Sequence, residues 1–467
     1  MNKFLAFSLL LAAFCFQLSS CKKDSFITSA EARLTITTDS LKYDTVFTST
    51  GSITKSFKII NENSQKLRLS TIKLMGGAAS PFRINVNGTA ATTLSNVEIE
   101  ANDSIYVFAS VTINPNAANQ PFIVSDSIQI IYNGNERFVQ LQAYGQNAIY
   151  LTNKVIAGNV TWTNTLPFVI LKSIRIDTTA TLTIQPGCKI YSHADAPFIV
   201  DGTLSVNGTK NNEVVFAGDR QDNSYKDLPA GWPGIYFRGN SKNNVMKFAI
   251  IKNAYQAIVA TGPSINTNPK LVIQQSIIDN AYDAGILAAN TSIYTNNSLI
   301  SNCGSNIALV YGGDYNFTNC TVASYSNQYI LHKNPVLSVS NFALQRGVTV
   351  TANLNAVFRN CIFWADSGFV GNEVVVNKQG SNPVNVLFEK NLYRVQSDPA
   401  NSTLTGNIKN MDPLFDSIDV TKRIYDFRIS KFMGPGTNKG VTTIFTKDLD
   451  DGNRNVGLTD LGCYEKQ

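Results

Sequence analysis

A short apolar strand that ends in an asparagine and a small residue recurs in the second half of this chain. The asparagines are Asn253, Asn280 and Asn302, and they are 27 and 22 residues apart. Strand-sized units that recur at this spacing are typical of a solenoid, in which each coil stacks on the one before it and the inward side chains form one long core. The pattern therefore predicts stacked coils of β-strands over this part of the chain.

The recurring asparagine has a mechanical use in such a stack. Its amide can bond the asparagine of the next coil, and asparagine tolerates the left-handed backbone that a tight corner needs. We therefore expect Asn253, Asn280 and Asn302 to form a structural ladder rather than a ligand site. Longer insertions separate a second series of the same kind, which comprises Phe317–Cys320, Phe358–Cys361 and Phe388–Leu392.

Residues 30–147 show a different pattern, with short alternating strands between turns. Clear examples are Arg33–Thr37, Ser56–Ile60, Ser104–Phe108 and Ser127–Ile131. Strands of this length at close spacing favour a β-sandwich. Charged residues make up only 15% of the chain, which also argues against helices rich in Glu and Lys. The sequence therefore predicts an all-β protein, with a sandwich followed by a solenoid.

The N-terminus has the features of an export signal. Lys3 precedes an apolar run from Phe4 to Phe16, and small residues lead to Cys21. This order is typical of a secretory signal, and the run is shorter than the roughly 20 residues that span a bilayer. Two alternatives are a secretory signal in which Cys21 is incidental and a retained transmembrane anchor.

The stretch Leu18–Cys21 resembles a bacterial lipoprotein box. The resemblance implies that residues 1–20 are a signal peptide, that Cys21 is acylated and that residues 21–29 form a lipidated tether. Lysine directly after the cysteine is similar to lipoproteins that are sent to the outer membrane. We therefore expect a protein held at the outer membrane by acyl chains, with its body facing either the periplasm or the outside.

Several segments of the solenoid carry a family resemblance, and they are Ala180–Ile190, Val200–Thr209 and Gly231–Phe237. They resemble right-handed parallel β-helix proteins of the pectate-lyase-like superfamily, and the C-terminal stretch from Asp412 resembles a tail common on such proteins. The resemblance implies a right-handed β-helix over residues 148–467, with a C-terminal cap or tail at 411–467.

The sandwich also carries a resemblance. Tyr43–Phe47 and Gly51–Phe57 are similar to the opening of immunoglobulin-like modules that accompany large domains in Bacteroidetes surface lipoproteins. Paired cysteines and a core tryptophan are missing, so residues 30–147 are not expected to be an antibody-type domain.

Charge and cysteine content exclude several classes of partner. The net charge is +6 but dispersed, and no basic stripe marks a nucleic-acid surface. We expect a monomer without a cofactor. An odd number of mature cysteines without a CxxC pair argues against a disulfide framework and a zinc site. Buried thiols are expected, with one disulfide among the middle three left open, for the set Cys188, Cys303, Cys320, Cys361 and Cys463.

The sequence offers few groups for histidine-based or lyase chemistry. His193 and His332 are its only histidines, and neither lies in a nucleophile turn. A pectate-type lyase needs aligned carboxylates and an Arg or Lys base. Arginine is absent from Gly239 to Gln345, and Asp279, Asp283 and Asp314 are scattered there.

The best acidic cluster for a hydrolase is a loop that contains Asp219, Asp222 and Asp227. Hydrolysis of glycosides uses a pair of carboxylates, one of them protonated. A polar surface loop explains the same composition. The tail segment Asp448–Asn453 resembles a calcium loop, but Thr459 occupies the position of the twelfth ligand, so no metal is expected.

Aromatic residues provide the remaining functional hypothesis. Trp232, Tyr236, Tyr255 and Tyr282 fall in successive coils, and an exposed row of rings would contact sugar faces. The alternative is that Trp232 and Tyr236 pack against the body of the helix.

These observations together predict a non-catalytic binding or scaffold protein of the cell envelope that engages polysaccharides or another envelope component. No catalytic residue is assigned. The alternative is a polysaccharide lyase or a glycoside hydrolase.

Overall fold

A computed structural model describes residues 25–116, 121–366, 368–429, 431, 433–454 and 457–466. The chain divides into two compact units, Met1–Asn147 and Ala148–Gln467. The expected signal peptide and Cys21 lie outside the described residues. Across the described ranges, no helix has the length and apolar character to cross a membrane.

In its described residues, the first unit has ten strands and one short 3-10 turn, Gly77–Ala79. The strands are β1 Leu34–Ile36, β2 Ser40–Phe47, β3 Lys55–Asn61, β4 Leu67–Leu74, β5 Phe82–Val86, β6 Thr89–Ala90, β7 Thr93–Ile99, β8 Ser104–Val111, β9 Phe122–Tyr132 and β10 Asn135–Gln146. One sheet has the order β1-β3-β8-β5-β6, and the other has the order β2-β10-β9-β4-β7. All neighbours are antiparallel except β2 and β10.

Alternation along the strands puts the core of this unit between its two sheets. In β8, Ile105, Val107 and Ala109 are buried while the residues between them are exposed, as a strand with one buried face requires. Tyr43 lies in the same core, and its hydroxyl donates to the Ala109 carbonyl at 2.5 Å. The predicted β-sandwich is confirmed.

The second unit contains the remaining strands. They are β11 Ile149–Ile156, β12 Asn159–Trp162, β13 Phe168–Ile176, β14 Thr181–Ile184, β15 Lys189–Ser192, β16 Phe198–Val200, β17 Thr203–Asn207, β18 Val214–Gly218, β19 Ile235–Phe237, β20 Asn244–Lys247, β21 Ala249–Lys252, β22 Gln256–Thr261, β23 Leu271–Gln274, β24 Ile277–Asp279, β25 Ala284–Asn296, β26 Leu299–Ser301, β27 Ser305–Thr318, β28 Thr321–Ser324, β29 Leu337–Ser340, β30 Phe342–Gln345, β31 Val348–Thr351, β32 Leu354–Arg359, β33 Ile362–Ala365, β34 Val374–Asn377, β35 Val384–Glu389, β36 Leu392–Tyr393, β37 Thr403–Thr405, β38 Ile408–Lys409, β39 Ser417–Asp419 and β40 Ile424–Asp426.

Strands β30 and β31 and strands β39 and β40 pair as two antiparallel ribbons. The other strands form a parallel β-helix with three faces. Sheet I contains β16, β19, β22, β29 and β34, with the first parts of β25 and β27. Sheet II contains β12, β14, β17, β20, β23, β32, β35 and β37, with the later parts of β25 and β27. Sheet III contains β15, β18, β21, β24, β26, β28, β33, β36 and β38.

The interior of the helix consists of aliphatic columns in exact register. One column on sheet I is fully buried and comprises Ile235, Ile258, Ile286, Ile307 and Leu337. Each strand pairs with the strand one coil away, so every inward position stacks on an equivalent one. The predicted stacked coils are confirmed.

The corner asparagines adopt the conformation that the sequence predicted. Asn253, Asn280 and Asn302 have φ values of 61°, 57° and 52°. Asn280 Nδ2 donates to Asn253 Oδ1 at 2.8 Å, which confirms the first step of the ladder. The next step differs, because Asn302 Nδ2 donates to Asp279 Oδ1 at 3.2 Å instead of to Asn280.

The C-terminal tail packs along the outer face of sheet III. Its buried side chains form a cluster with outward residues of that sheet, among them Leu299, Ala323, Ile362 and Leu392. Arg454 fastens the tail, because its buried guanidinium donates to Asn297 Oδ1 at 2.6 Å and to the Gly462 carbonyl at 2.7 Å. The tail therefore hides one of the three outer faces of the helix.

All five cysteines of the described chain are buried and free, so the disulfide left open above is not formed: Cys188, Cys303, Cys320, Cys361 and Cys463. Burial raises the pKa of the Cys303, Cys320 and Cys463 thiols. Thiols in this state behave as small apolar side chains.

Replacing Asn280 with Ala tests the ladder. The substitution removes the donation to Asn253 and a second one to the Asp227 carbonyl at 3.1 Å, and it places alanine in a left-handed backbone. We expect the free energy of unfolding to fall by about 1 to 3 kcal/mol because buried groups lose their partners, in addition to the cost of the left-handed backbone. Tryptophan fluorescence during urea unfolding measures the second unit, since Trp162, Trp232 and Trp364 all lie in it.

The matched control is Asn211→Ala, because Asn211 is exposed and has a φ of 67°. It carries the same backbone cost of about 1 kcal/mol without a buried ladder bond. Equal destabilisation by the two variants would contradict a stabilising role for the Asn280 amide.

Candidate functional site

The tail covers sheet III, whereas clefts open to solvent lie over the outer face of sheet II. Side chains alternate along a strand, so the outward positions of successive coils form columns. One column contains Ser292, Asp314, Asn355 and Asn385. A second column beside it contains Val272, Tyr294, Asn316, Val357 and Leu387.

Three adjoining clefts lie over these columns, and we call them together the sheet II groove. The polar cleft lies in the middle and has a volume of about 300 Å³. A wider cleft on one side of it has a volume of about 750 Å³, and a more apolar cleft on the other side about 550 Å³. Asp314 and Asn355 line both the wide and the polar cleft, and Tyr294 lines both the polar and the apolar cleft. The groove therefore runs across several coils instead of forming one enclosed pocket.

Amide groups repeat along the groove from coil to coil. Asn385 Nδ2 donates to Asn355 Oδ1 at 2.9 Å, and Asn382 Nδ2 donates to Asn353 Oδ1 at 2.9 Å. Neighbouring coils are about 4.8 Å apart, and each donation fixes the orientation of an amide. Asn353, Asn355 and Asn385 line the groove, and each amide has further lone pairs or N–H groups that can bond a ligand.

The charges of the groove largely compensate each other. Among the described residues that line it, Asp314 is the one carboxylate, and Lys378 and Arg359 are the cations. Arg359 Nε donates to Glu389 Oε2 at 2.6 Å, which neutralises its guanidinium. The groove therefore suits a neutral ligand.

Tyr294 and Asp314 form the most distinctive pair in the groove. The Tyr294 hydroxyl donates to Asp314 Oδ2 at 3.2 Å, and the tyrosine is 37% exposed. Burial raises the pKa of Tyr294, and the neighbouring carboxylate adds to the increase. The ring is thus held in one orientation, with its hydroxyl neutral.

The structure divides the predicted aromatic row. Trp232 is only 1% exposed and its Nε1 donates to the Lys252 carbonyl at 2.9 Å, so its assignment to an exposed row is wrong and the packing alternative holds for it. The Tyr236 ring is half-buried, with its hydroxyl donating to the Pro233 carbonyl at 3.1 Å. Trp232 turns inward because its position is in register with Ala254, which faces the core.

Tyr255 and Tyr282 are the two exposed members of that row. They are 44% and 51% exposed, and their rings stack on each other with centroids 5.9 Å apart. Gln256 Nε2 donates to Asp283 Oδ2 at 2.7 Å beside them. Contact of this pair with a sugar stays a prediction.

The predicted acidic loop does not form one catalytic set. Asp219 accepts from His193 Nδ1 at 2.7 Å, and Asp222 accepts from Arg220 Nε at 2.9 Å. Asp227 alone of the three lines a cleft near the corner asparagines. His193 and Arg220 therefore each bond one oxygen of the first two carboxylates.

The second histidine, His332, belongs to a cluster with Glu373 and Arg394. His332 Nε2 lies 2.9 Å from Glu373 Oε2, and Arg394 Nη2 donates to Glu373 Oε1 at 2.7 Å. His332 and Glu373 are both buried, so this cluster holds the loop before β29 in place.

The cleft beside the corner asparagines brings two carboxylates together. This ladder cleft has a volume of about 310 Å³, and its lining includes Asp227, Asp279, Lys252 and Arg423. Burial raises the pKa of Asp279, although hydrogen bonds from Ser301 and Asn302 and the charges of the two cations oppose the increase. A carboxyl group with a raised pKa is a candidate proton donor.

The calcium-like segment of the tail is a structural turn. Asp448 Oδ1 accepts from the backbone N–H groups of Asp450 and Gly452 at 3.0 and 2.7 Å. Asp450 is paired with Lys210 and Arg428. Within the described residues, no three His, Cys, Asp or Glu side chains lie together as metal ligands would.

Sequence reasoning missed the groove because its columns are irregularly spaced along the chain. Ser292, Asp314, Asn355 and Asn385 are separated by 22, 41 and 30 residues. The insertion that contains β30 and β31 lengthens one interval. The available signal was the alternation within each strand, which becomes useful only when the coil register is known.

Comparison with known proteins supports the fold. The family model described as the right-handed β-helix region matches residues 158–322. This match and the large parallel sheet of the second unit are consistent with a right-handed parallel β-helix. No curated protein matches the chain.

Solved structures give weak likenesses. The chain is similar to a family 123 glycoside hydrolase from Clostridium perfringens at 14% identity, over 27% of this chain and 26% of that chain, with a TM-score of 0.19. It is similar to the catalytic unit of a GH87 α-1,3-glucanase from Streptomyces thermodiastaticus at 10% identity, over 76% of this chain and 88% of that chain, with a TM-score of 0.18. A PapD-like domain of human CEP192 matches at 9% identity, over 26% of this chain and 87% of that chain, with a TM-score of 0.17. Likenesses at these scores carry no argument about activity.

Trp232→Ala tests the corrected position of the tryptophan. Removing a buried tryptophan leaves a cavity, so we expect a loss of about 3 to 5 kcal/mol of unfolding free energy. Fluorescence of Trp162 and Trp364 during urea unfolding measures it. Tyr255→Ala, at an exposed ring, should change stability by no more than about 0.5 kcal/mol. A Trp232→Ala variant as stable as Tyr255→Ala would contradict the buried position.

Proposed function

We propose that this chain is an exported, lipid-anchored protein whose β-helix binds a neutral glycan in the sheet II groove without cleaving it. The observation that carries the proposal is the groove itself, in which three adjoining clefts cross several coils. The wide and the polar cleft share Asp314 and Asn355, and the polar and the apolar cleft share Tyr294. An extended polymer fits such a surface better than a small metabolite, which usually occupies one enclosed pocket.

The chemistry of the lining supports a sugar ligand. Oriented amides, such as those of Asn355 and Asn385, donate to and accept from hydroxyl groups. The exposed ring of Tyr294 offers an apolar surface for a sugar face, and its hydroxyl and Asp314 form a polar rim. Ligand sites typically combine aromatic and apolar area with a few placed polar groups.

The carboxylate content of the groove favours binding over hydrolysis. Glycoside hydrolases use two carboxyl groups on opposite sides of the scissile bond, whereas Asp314 is the one carboxylate among the described residues of the groove. The arrangement therefore favours a binding surface with no general acid and base pair.

The location is proposed from the N-terminal sequence. Cys21, after an apolar export signal, is the site of acylation in this proposal, and Lys22 favours sorting to the outer membrane of a Bacteroidetes-type envelope. The body is proposed to act as a monomer, facing the periplasm or the surface, with polysaccharide or an envelope protein as its partner and no role for nucleic acid.

A hydrolase at the ladder cleft is the second candidate. The observation in its favour is that Asp227 and Asp279 line one cleft and that burial raises the pKa of Asp279. In that case Asp279 would donate the proton to the leaving oxygen and Asp227 would be the second carboxylate.

Tyr294→Ala in the mature chain tests the binding site. We expect its affinity for glycans identified on an array to fall about 2- to 10-fold, because a stacked ring contributes roughly 0.5 to 1.5 kcal/mol. Tyr255→Ala is the matched control, since it removes a similarly exposed ring outside the groove. Isothermal calorimetry measures the glycan affinity of both variants.

Three outcomes would contradict the proposal. Binding that is lost in Tyr255→Ala and retained in Tyr294→Ala would place the site at the tyrosine pair. Release of new reducing ends, abolished in Asp279→Asn, would establish the hydrolase. Absence of any glycan ligand would overturn the function itself.

Cys21→Ser tests the anchor. A serine cannot carry the thioether-linked lipid, so we expect the variant to lose incorporation of an alkyne-labelled fatty acid and to leave the membrane fraction. Cys15→Ser, which changes a cysteine within the predicted signal peptide, should still incorporate the fatty acid and remain in the membrane fraction. A Cys21→Ser protein that stays labelled and membrane-bound would refute acylation at this residue.

A further inference from the structure

The apolar end of the sheet II groove has features that the rest of the groove lacks. This cleft of about 550 Å³ lies between sheet II and a loop of the tail, and its lining includes Val272, Tyr294, Ile444 and Phe445. Ile444 is 88% exposed. An isoleucine that is left in solvent at the rim of a cleft gains free energy when an apolar group covers it.

The loop that carries Ile444 is held firmly by corner asparagines. Asn360 Nδ2 donates to the Val441 carbonyl at 2.7 Å, and the Val441 N–H donates back to Asn360 Oδ1 at 2.9 Å. Asn319 Nδ2 donates to Thr443 Oγ1 at 3.3 Å, and Asn360 is itself bonded to Asn319 at 2.9 Å. The wall of the cleft is thus preorganised, so little ordering is needed when a ligand binds.

Hydrogen-bond donors lie on the floor of the same cleft. Gln274, Asn316 and Arg359 line it beside the apolar wall. Arg359 Nε donates to Glu389 Oε2 at 2.6 Å. The positive charge of the guanidinium is therefore compensated, while its terminal N–H groups remain donors. A group that fits this cleft has an apolar end, an acceptor oxygen and no net charge.

We propose that this cleft binds the acetyl substituent of an acetylated neutral glycan. The methyl group packs against Ile444 and Val272, and the carbonyl oxygen accepts from Arg359 or Asn316. The inference rests on the proposed glycan-binding function, and it identifies the class of glycan. A carboxylate-bearing sugar is disfavoured, since the nearest cation is already paired and Asp314 lies in the adjoining clefts.

Two hexaoses of equal length and linkage provide the test. N-acetylchitohexaose and cellohexaose differ only in carrying an acetamido group or a hydroxyl at C2. Calorimetry with the mature protein should show about tenfold tighter binding of the acetylated hexaose, which is the combined effect of one buried methyl group and one amide hydrogen bond. A second pair, acetylated and chemically deacetylated xylan, tests O-linked acetyl groups.

Ile444→Ser should lower the affinity ratio of the two hexaoses about fourfold, to roughly two or three, because the packing of the methyl group is lost while the amide hydrogen bond remains. The affinity for cellohexaose should not change. Ile424→Ser is the matched control, because Ile424 is a 49% exposed isoleucine of the tail that does not line the groove. Unchanged urea unfolding of both variants, followed by tryptophan fluorescence, establishes that they are folded.

The outcomes separate this inference from the proposed function. Equal binding of both members of each pair, no binding of any of the four glycans, or a ratio that Ile444→Ser leaves unchanged would overturn the acetyl site. An array in which no glycan binds would overturn the proposed function as well. Preference for the acetylated members, reduced about fourfold in Ile444→Ser and unchanged in Ile424→Ser, is the expected result.

Discussion

Hydrogen bonding at the corners of the coils is the constraint on which the rest of this structure depends. A residue in the left-handed conformation turns the chain there, and an amide bond such as that from Asn280 to Asn253 joins one coil to the next. Register follows, since a shift by one residue would exchange the inward and outward side chains of every strand. The buried isoleucine column and the outward amide column of the groove are two consequences of the same register.

The tail then decides which outer face is accessible. Sheet III carries apolar residues on its outside, including Leu299 and Ile362, and the tail buries them. The loop at 441–445 leaves this cover and forms a wall of the sheet II groove, where Asn360 holds it by two hydrogen bonds. The same corner asparagines therefore stabilise the stack and position one side of the candidate site.

The fold was largely predictable from the sequence, and the site was not. Alternating strands predicted the sandwich, and the recurring asparagine predicted the coils, because both signals are local. Trp232 was misplaced because whether a residue at a coil corner faces inward depends on its partner in the next coil, here Ala254. Tyr294 and Asp314 are adjacent only through coil stacking, and Asp279 gains its raised pKa from burial by distant segments. None of these relations is visible in the spacing of residues along the chain.

Hydrogen exchange of the mature protein, with and without the tightest glycan ligand of an array, tests the central claim most directly. Binding in the sheet II groove without cleavage predicts added protection in β25, β27, β32 and β35 and in the loop at 441–445, with the glycan recovered at its original length. Protection confined to the neighbourhood of Tyr255 and Tyr282 or of Asp279, or recovery of a shortened glycan, would contradict it.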